Sequence, residues 1–475
     1  MPPPVDESPP PAVPPATGAP APIPTPVASQ LRDARDQRLG TASREAADRA
    51  ETALWRMMSF SETPLADLDA AIAADPGWGL PRIMKAGYLL GLTEASQLAP
   101  ARQLLDQAEP LQANAPERER AHLEALRAIA EGRWQLACRR WDALLLEHPR
   151  DALALQWAHQ WDYLQGDTAS LRSRPAQVLP EWDEADPLFP QVLGLYASGL
   201  EENNCYPQAE DAGRRAVAGG ASVPWAVHAV AHVLHMSGRL EDGNAWLRQH
   251  QPNWAEGNAF ASHLWWHMGL FRLEALDLPG AHRLLDAHFS GDMLQSSFQQ
   301  FDAVSLLWRM HLMGEDVSAR FVELLRGWSP PASEAGHRAF TDLHVTLACI
   351  GAGELLQAEG WLARCAERAM QPEDVRRSNH TTAREVGLPL MRGLLALAKG
   401  DPDAAVQQLH AVRPQLRRLG GSHLQRDLLD QTLMAAAAQA RHAPIGRALL
   451  NECLMAKPVV TPLTRHWAGR LHLDI

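Results

Sequence analysis

Residues 132–166 read GRWQLACRRWDALLLEHPRDALALQWAHQWDYLQG, and this stretch decides the fold class. A glycine stands at each end, 34 residues apart, and between them lie two blocks of strong helix formers split by His148-Pro149. The residue before a proline avoids the α region, so the first block closes there and a second helix starts. No sustained alternation of β-branched residues is present, which argues against strands. Residues 132–137 (Gly-Arg-Trp-Gln-Leu-Ala) put small and aromatic side chains where one helix of the pair docks on the other.

Working outward, the same punctuation recurs. Helix stops are read at Gly132, Gly166, Asn204, Gly238, Leu278, Gly314, Gly353, Gly400 and His442, spaced by 34, 38, 34, 40, 36, 39, 47 and 42 residues. Tetratricopeptide units run near 34 residues and longer helical repeats near 40–47. Thr63-Pro64 offers an N-cap followed by proline in the first turn, and Asp75-Pro76 closes a helix as His148-Pro149 does. The expected fold is therefore all-α, a tetratricopeptide-like superhelix of helical hairpins (an α-solenoid). It occupies residues 30–475, with helices from about residue 43, and Pro444–Ala456 and Pro462–His472 serve as its cap. Each hairpin alone leaves an apolar face open, and stacking covers it. The tryptophans, among them Trp134, Trp141, Trp157, Trp161, Trp225, Trp265 and Trp266, are expected to fill gaps between helices.

The first 30 residues differ in kind, holding 12 of the 36 prolines. Residues 1–29 are read as a disordered arm with too little apolar surface to offset ordering. They have no basic start and no apolar run of a secretory leader. No stretch approaches the length of a membrane-spanning helix. A net charge of −12 disfavours a nucleic-acid partner. Five scattered cysteines without a C-x-x-C pattern point to free thiols in a reducing, cytoplasmic setting.

Searches for a phosphate loop, a nucleophile elbow, a dinucleotide fingerprint and H-E-x-x-H fail. Gly420-Gly421-Ser422-His423 follows no strand and reads as a helix stop and restart. One cluster stands out. Residues 228–288 hold eight of the 20 histidines, including His228/His232 and His263/His267 at i, i+4. That spacing puts both rings of a pair on one helix face. The two helices are first helices of neighbouring hairpins, so the four rings are expected to converge on the concave surface. Three readings stay open: a polar ligand pocket, a divalent metal site such as zinc held by His228, His232, His263 and His267, or a structural hydrogen-bond network.

The stretches His228-Ala-Val-Ala-His232, His263-Leu-Trp-Trp-His267, Phe340-Thr-Asp342-Leu-His344, Arg384-Glu-Val-Gly-Leu-Pro389 and Gly420-Gly-Ser-His-Leu-Gln-Arg-Asp427 resemble the tetratricopeptide repeat protein 38 family over about residues 50–470. Two departures stand out. His235 replaces the family's usual Glu, and Gln160 replaces its usual acid after His159. The resemblance implies a helical-repeat fold and no settled activity. It adds polar positions to the candidate pocket: Asp302, Asp342, His344 and Arg384, then His423, Gln425, Arg426 and Asp427. Residues far apart in sequence would meet at the axis of a tightly wound superhelix.

Two functions follow. One is a scaffold holding a protein or peptide in its concave groove. The other is a small-molecule receptor or an enzyme, with the histidines as metal ligands or acid/base groups. There Asp302 or Asp342 would orient imidazoles, and Arg384 and Arg426 would hold an anionic group.

Overall fold

A computed structural model describes residues 31–475 apart from 221, 291–293, 295, 329, 373 and 374. The proline-rich arm read over residues 1–29 lies outside the described residues. Among those described, no strand occurs, only isolated bridges at Arg32–Arg38 and Ser61–Asn258. The chain is a succession of helical hairpins. In order these are α1 (Arg44–Ser59) with α2 (Leu65–Ala74), α3 (Leu80–Gly91) with α4 (Leu98–Ala108), and α5 (Glu117–Ala130) with α6 (Trp134–Glu147). Next come α7 (Ala152–Gln165) with α8 (Thr168–Val178), α9 (Phe189–Glu201) with α10 (Tyr206–Gly219), and α11 (Pro224–Met236) with α12 (Leu240–His250). Then follow α13 (Ala261–Glu274) with α14 (Leu278–His288), α15 (Ser297–Leu312) with α16 (Ser318–Gly327), and α17 (Ala339–Gly351) with α18 (Leu355–Ala369). The chain ends in short α19 (Ser378–Thr382), α20 (Leu388–Ala398) with α21 (Pro402–Val412), α22 (His423–Gln439) with α23 (Ala443–Ala456), and α24 (Pro462–Arg470).

Local chemistry sets these boundaries. Asp151, Asp167, Asp277 and Asp401 each accept a backbone N–H in the first turn of the helix that follows. Ser296 with Gln299 and Ser422 with Gln425 form capping boxes. Left-handed residues end the helices at Gly132, Gly166, Asn204, Gly238, Leu276, Gly314, Gly353, Gly400 and Arg441. The stops read at Leu278 and His442 thus fall at Leu276 and Arg441. In both places a side-chain-bearing residue takes the left-handed turn, at φ 55° and 52°. Gly166 cannot be replaced so easily, because a Cβ there would collide with the Arg417 carbonyl oxygen. The start expected at Pro64 falls one residue later, at Leu65, and Thr63 Oγ1 accepts the Leu65 N–H at 3.3 Å instead of acting as cap. Between α19 and α20 the backbone makes a π-helical turn over Ala383–Gly387, followed by Pro389, which has no N–H to continue an α ladder.

Burial separates two layers. Every residue of α11 and of α17 is buried. Their partners bury one stripe only: Gly243, Trp246 and Leu247 in α12, and Ala358, Trp361, Cys365 and Ala369 in α18. Successive first helices pack side by side, as α9, α11, α13, α15 and α17 do. Distant hairpins also meet. The α15 helix packs on α22, where Trp308 Nε1 donates to Thr432 Oγ1 at 3.0 Å, and Arg309 Nη2 donates to Leu424 O at 2.6 Å. Tyr163 Oη donates to Gln425 Oε1 at 2.6 Å, and Thr461 Oγ1 to Glu274 Oε1 at 2.5 Å. Helices far apart in the chain therefore touch directly. Trp134, Trp141, Trp157, Trp161, Trp225 and Trp266 are buried in the packing, while Trp265 is partly exposed and stacks on His288 with centroids 3.6 Å apart.

Candidate functional site: a histidine–carboxylate cluster

Helices α9, α11, α13 and α15 lie in sequence order, and α22 closes over them from the far end of the chain. Because α11 is buried all round, the rings of His228 and His232 can point only into its neighbours. They meet those of α13. Ring centroids are 4.2 Å apart for His228–His232, 5.0 Å for His228–His263, 4.8 Å for His228–His267, 4.6 Å for His232–His267 and 4.9 Å for His263–His267. All four are at most 2% exposed.

The nitrogens are arranged in layers. His263 Nδ1 faces Asp302 Oδ1 at 2.9 Å, and Ser262 Oγ donates to the other Asp302 oxygen at 3.1 Å. His232 Nδ1 lies 3.1 Å from Glu201 Oε2, in ion-pair range without hydrogen-bond alignment. A carboxylate behind one ring nitrogen, with the other turned inward, is the usual support of a metal-binding histidine. Inward, His263 Nε2 and His228 Nε2 stand 3.2 Å apart. Among the described residues neither nitrogen of His267, nor Nδ1 of His228, has a hydrogen-bond partner. One ligand atom from each of His228, His232 and His267 falls within 4.8 Å of the others. A second group with the same spread joins Glu201, Glu202, His232 and His423, so the His232 ring belongs to both.

Electrostatics follow from burial. Desolvation, then mutual repulsion, pulls His228, His232 and His267 well below the usual imidazole range, leaving neutral electron-pair donors. His423 behaves oppositely. Burial opposes its charge, but Glu201 and Glu202 outweigh it and raise the imidazole to about 9. The His423 backbone N–H and Nδ1 reach Glu202 Oε1 at 3.0 and 3.2 Å, and Arg426 Nη2 lies 3.4 Å from Glu202 Oε2. Glu201 is pushed well above the normal carboxylate range by burial, partly countered by His423.

Beside this cluster opens a cavity of about 480 Å³. His423 and Arg426 form its wall together with His235, Glu274, Asp427 and Lys457. His423 is the link, its ring 5.2 Å from that of His232. His235 faces Glu274 at 3.3 Å, and Lys457 pairs with the same carboxylate at 2.9 Å.

The other candidates divide. Asp302, His423 and Arg426 join the histidines, and Asp427 lines the cavity. Gln425 is a capping-box residue that also accepts from Tyr163. Asp342 lies elsewhere, its Oδ1 accepting from Gly336 N at 3.0 Å and Trp361 Nε1 at 3.2 Å, so it orients none of the four imidazoles. His344 donates its Nδ1 hydrogen to Phe340 O at 2.8 Å. Arg384 is half-exposed and pairs with Glu385. Glu201 and Glu202 escaped the sequence reading. Their only signal is two adjacent acids ending a helix that is uncharged from Phe189 to Leu200. No family model matches the chain.

Proposed function

We propose that this is a tetratricopeptide-type repeat protein of the tetratricopeptide repeat protein 38 family, in a reducing cytoplasmic compartment, that binds a small polar ligand at a divalent metal. The ion sits among His228, His232 and His267, with Glu201 and His423 between it and the cavity. One observation carries the reading: three buried imidazoles bring ligand atoms within 4.8 Å while both nitrogens of His267 lack partners. An unpartnered buried polar group is costly, and a cation relieves three at once. Zinc–nitrogen bonds of about 2.0–2.1 Å put donors roughly 3.3 Å apart in a tetrahedron.

Direct contact of α15 with α22 supports a closed site over a peptide groove, because the axis there is filled by protein. The free state of all five cysteines supports the compartment. Among the described residues no helix is long and apolar enough to cross a membrane.

Metal analysis of the purified full chain tests the proposal. One zinc-class ion per chain is expected, and the double substitution His228→Ala with His267→Ala should remove it. A wild-type protein that neither contains nor takes up such an ion sinks the metal. A second reading, metal-dependent catalysis, is favoured by His423, an acid held between two carboxylates at the cavity wall. Ligand recovered intact from the loaded protein supports binding, and chemically altered ligand supports catalysis.

A further inference from the structure

A second site lies away from the histidines, where α3–α5 meet the segment from residue 334 to α19. This junction joins chain positions about 240 residues apart: Ser378 N donates to Gly132 O at 2.8 Å, Trp134 N to Ser378 Oγ at 3.1 Å, and Ala95 N to Glu334 Oε2 at 3.0 Å. It encloses a partly open cavity of about 60 Å³. At 10–15 Å³ per water, that is room for roughly four to six waters, the size of one tetrahedral oxyanion with some hydration.

Its lining is cationic in a chain whose net charge is −12. Among the described residues Arg102, Arg338, Arg368 and Arg377 line it with two acids, Glu94 and Glu131, and Arg368 and Arg377 have partners of their own. Both acids are engaged: Glu94 accepts from Ser297 Oγ at 2.9 Å, and Glu131 pairs with Arg133 at 3.4 Å. Arg338 is the deciding residue. It is only 6% exposed, its Nε has no partner, and its Nη1 makes just a long 3.4 Å bond to Thr93 Oγ1. No carboxylate among the described residues lies within ion-pair distance of it, and its guanidinium rests over Phe340, 4.8 Å from the ring centre. A buried guanidinium without counter-charge is the opposite of the normal arrangement. His337 sits among the same four arginines, and burial together with their charge pulls it down to about 4.

We propose that this junction binds a small oxyanion of the phosphate class, free or as the head of a monoester, held by Arg338 with Arg102. Planar guanidinium donors match such an anion in geometry and charge. The bound anion would bridge the early and late hairpins, and binding would also raise the thermal midpoint.

The test is calorimetric titration of the full chain with inorganic phosphate and with phenyl phosphate, at ionic strength fixed with chloride. Saturable one-to-one binding is expected, weakened tenfold or more by Arg338→Met, as loss of a charge-assisted donor should do. Arg102→Ala, at an exposed side chain that donates Nη2 to Ala130 O at 2.7 Å, should weaken it by a smaller factor and decides the matter if Arg338→Met fails to fold. Binding of phosphate alone supports a free ion, and binding of both supports an ester head. No saturable binding of either, or affinity unchanged in Arg102→Ala and in any folded Arg338→Met, overturns the proposal.

Discussion

Two buried histidine sites in this molecule have opposite hydrogen-bond logic. In α5, His122 Nε2 lies 3.0 Å from Asp151 Oδ2, which also takes Arg118 at 3.1 Å, while the other Asp151 oxygen caps α7 through the Ala154 N–H. There one carboxylate gives each group a partner at one nitrogen, although His122 Nδ1 and Arg118 Nε find none among the described residues. In α11 and α13, His228, His232 and His267 face one another, and His267 finds no hydrogen-bond partner among the described residues. Both sites are equally buried. The difference teaches that burial of histidine is not in itself a sign of function; the sign is a set of ring nitrogens left without hydrogen-bond partners.

The largest expected effect is at the His122 site. Asp151→Ala leaves Arg118 and His122 buried without their partner and uncaps α7. We expect a loss of roughly 3–5 kcal/mol in denaturant unfolding, the usual result of breaking a buried pair. His267→Leu should behave differently in chelator. It exchanges two unpartnered nitrogens for apolar volume, so stability should change by less than about 1.5 kcal/mol, or rise. If His267→Leu is as damaging as Asp151→Ala, the two sites are alike and the cluster is structural.

Next in size is the response to metal. Ligand at a hundred times its dissociation constant stabilises by about 2.7 kcal/mol. Zinc should give the wild-type chain a saturable gain of that order in thermal or denaturant unfolding, and give His267→Leu none. An equal gain in both places the metal elsewhere.

Part of the pH dependence comes from outside both sites. Burial pulls His159 to about 4 and His344 to about 3, while an unfolded histidine titrates near 6.5. The unfolded chain therefore binds more protons between about pH 4 and 6.5, and the stability these groups contribute above that window is lost as pH falls. Asp342 acts oppositely: burial raises it to about 7, so its contribution is present at low pH and lost as pH rises through 7. Each such group changes the slope of stability against pH by roughly 1.4 kcal/mol per pH unit while it titrates. Asp342→Asn removes one group that opposes the histidines and should steepen the loss on acidification by about that amount between pH 6.5 and 4.5. A shallower slope in the variant would show the sign to be wrong.

The hairpins were legible because glycine or asparagine marks most of their ends. The two displaced stops lie where Leu276 and Arg441 take the left-handed turn, which nothing in their chemistry announces. The histidine pairs were legible because i, i+4 spacing is local and neighbouring first helices pack in order. Glu201, Glu202 and Arg338 were not. The acids matter because His423 arrives from 221 residues away, and Arg338 because Thr93 lies 245 residues back. Meetings of that kind depend on the accumulated turn of many hairpins, a quantity no short motif records.

Arg384 gives the smallest and sharpest contrast. Resemblance groups it with the pocket, as an anion-holding residue beside His423 and Arg426. In the fold it is the second residue of a π-helical turn, half-exposed, with Glu385 as its ion-pair partner at 3.2 Å. Glu385 is also held by Arg418 at 2.9 Å, so the carboxylate keeps a partner when Arg384 is removed. An exposed pair of this kind contributes at most about 1 kcal/mol and often nothing measurable. Arg384→Ala should therefore leave unfolding within about 0.5 kcal/mol of wild type, and leave metal content unchanged. Arg426→Ala, by contrast, removes a partly buried guanidinium that binds the Gly421 carbonyl and pairs with Glu202. It should disturb the cavity wall and any ligand held there. If Arg384→Ala weakens ligand or metal binding as much as Arg426→Ala does, the π-helical turn belongs to the site, and the boundary drawn around α9, α11, α13, α15 and α22 is too narrow.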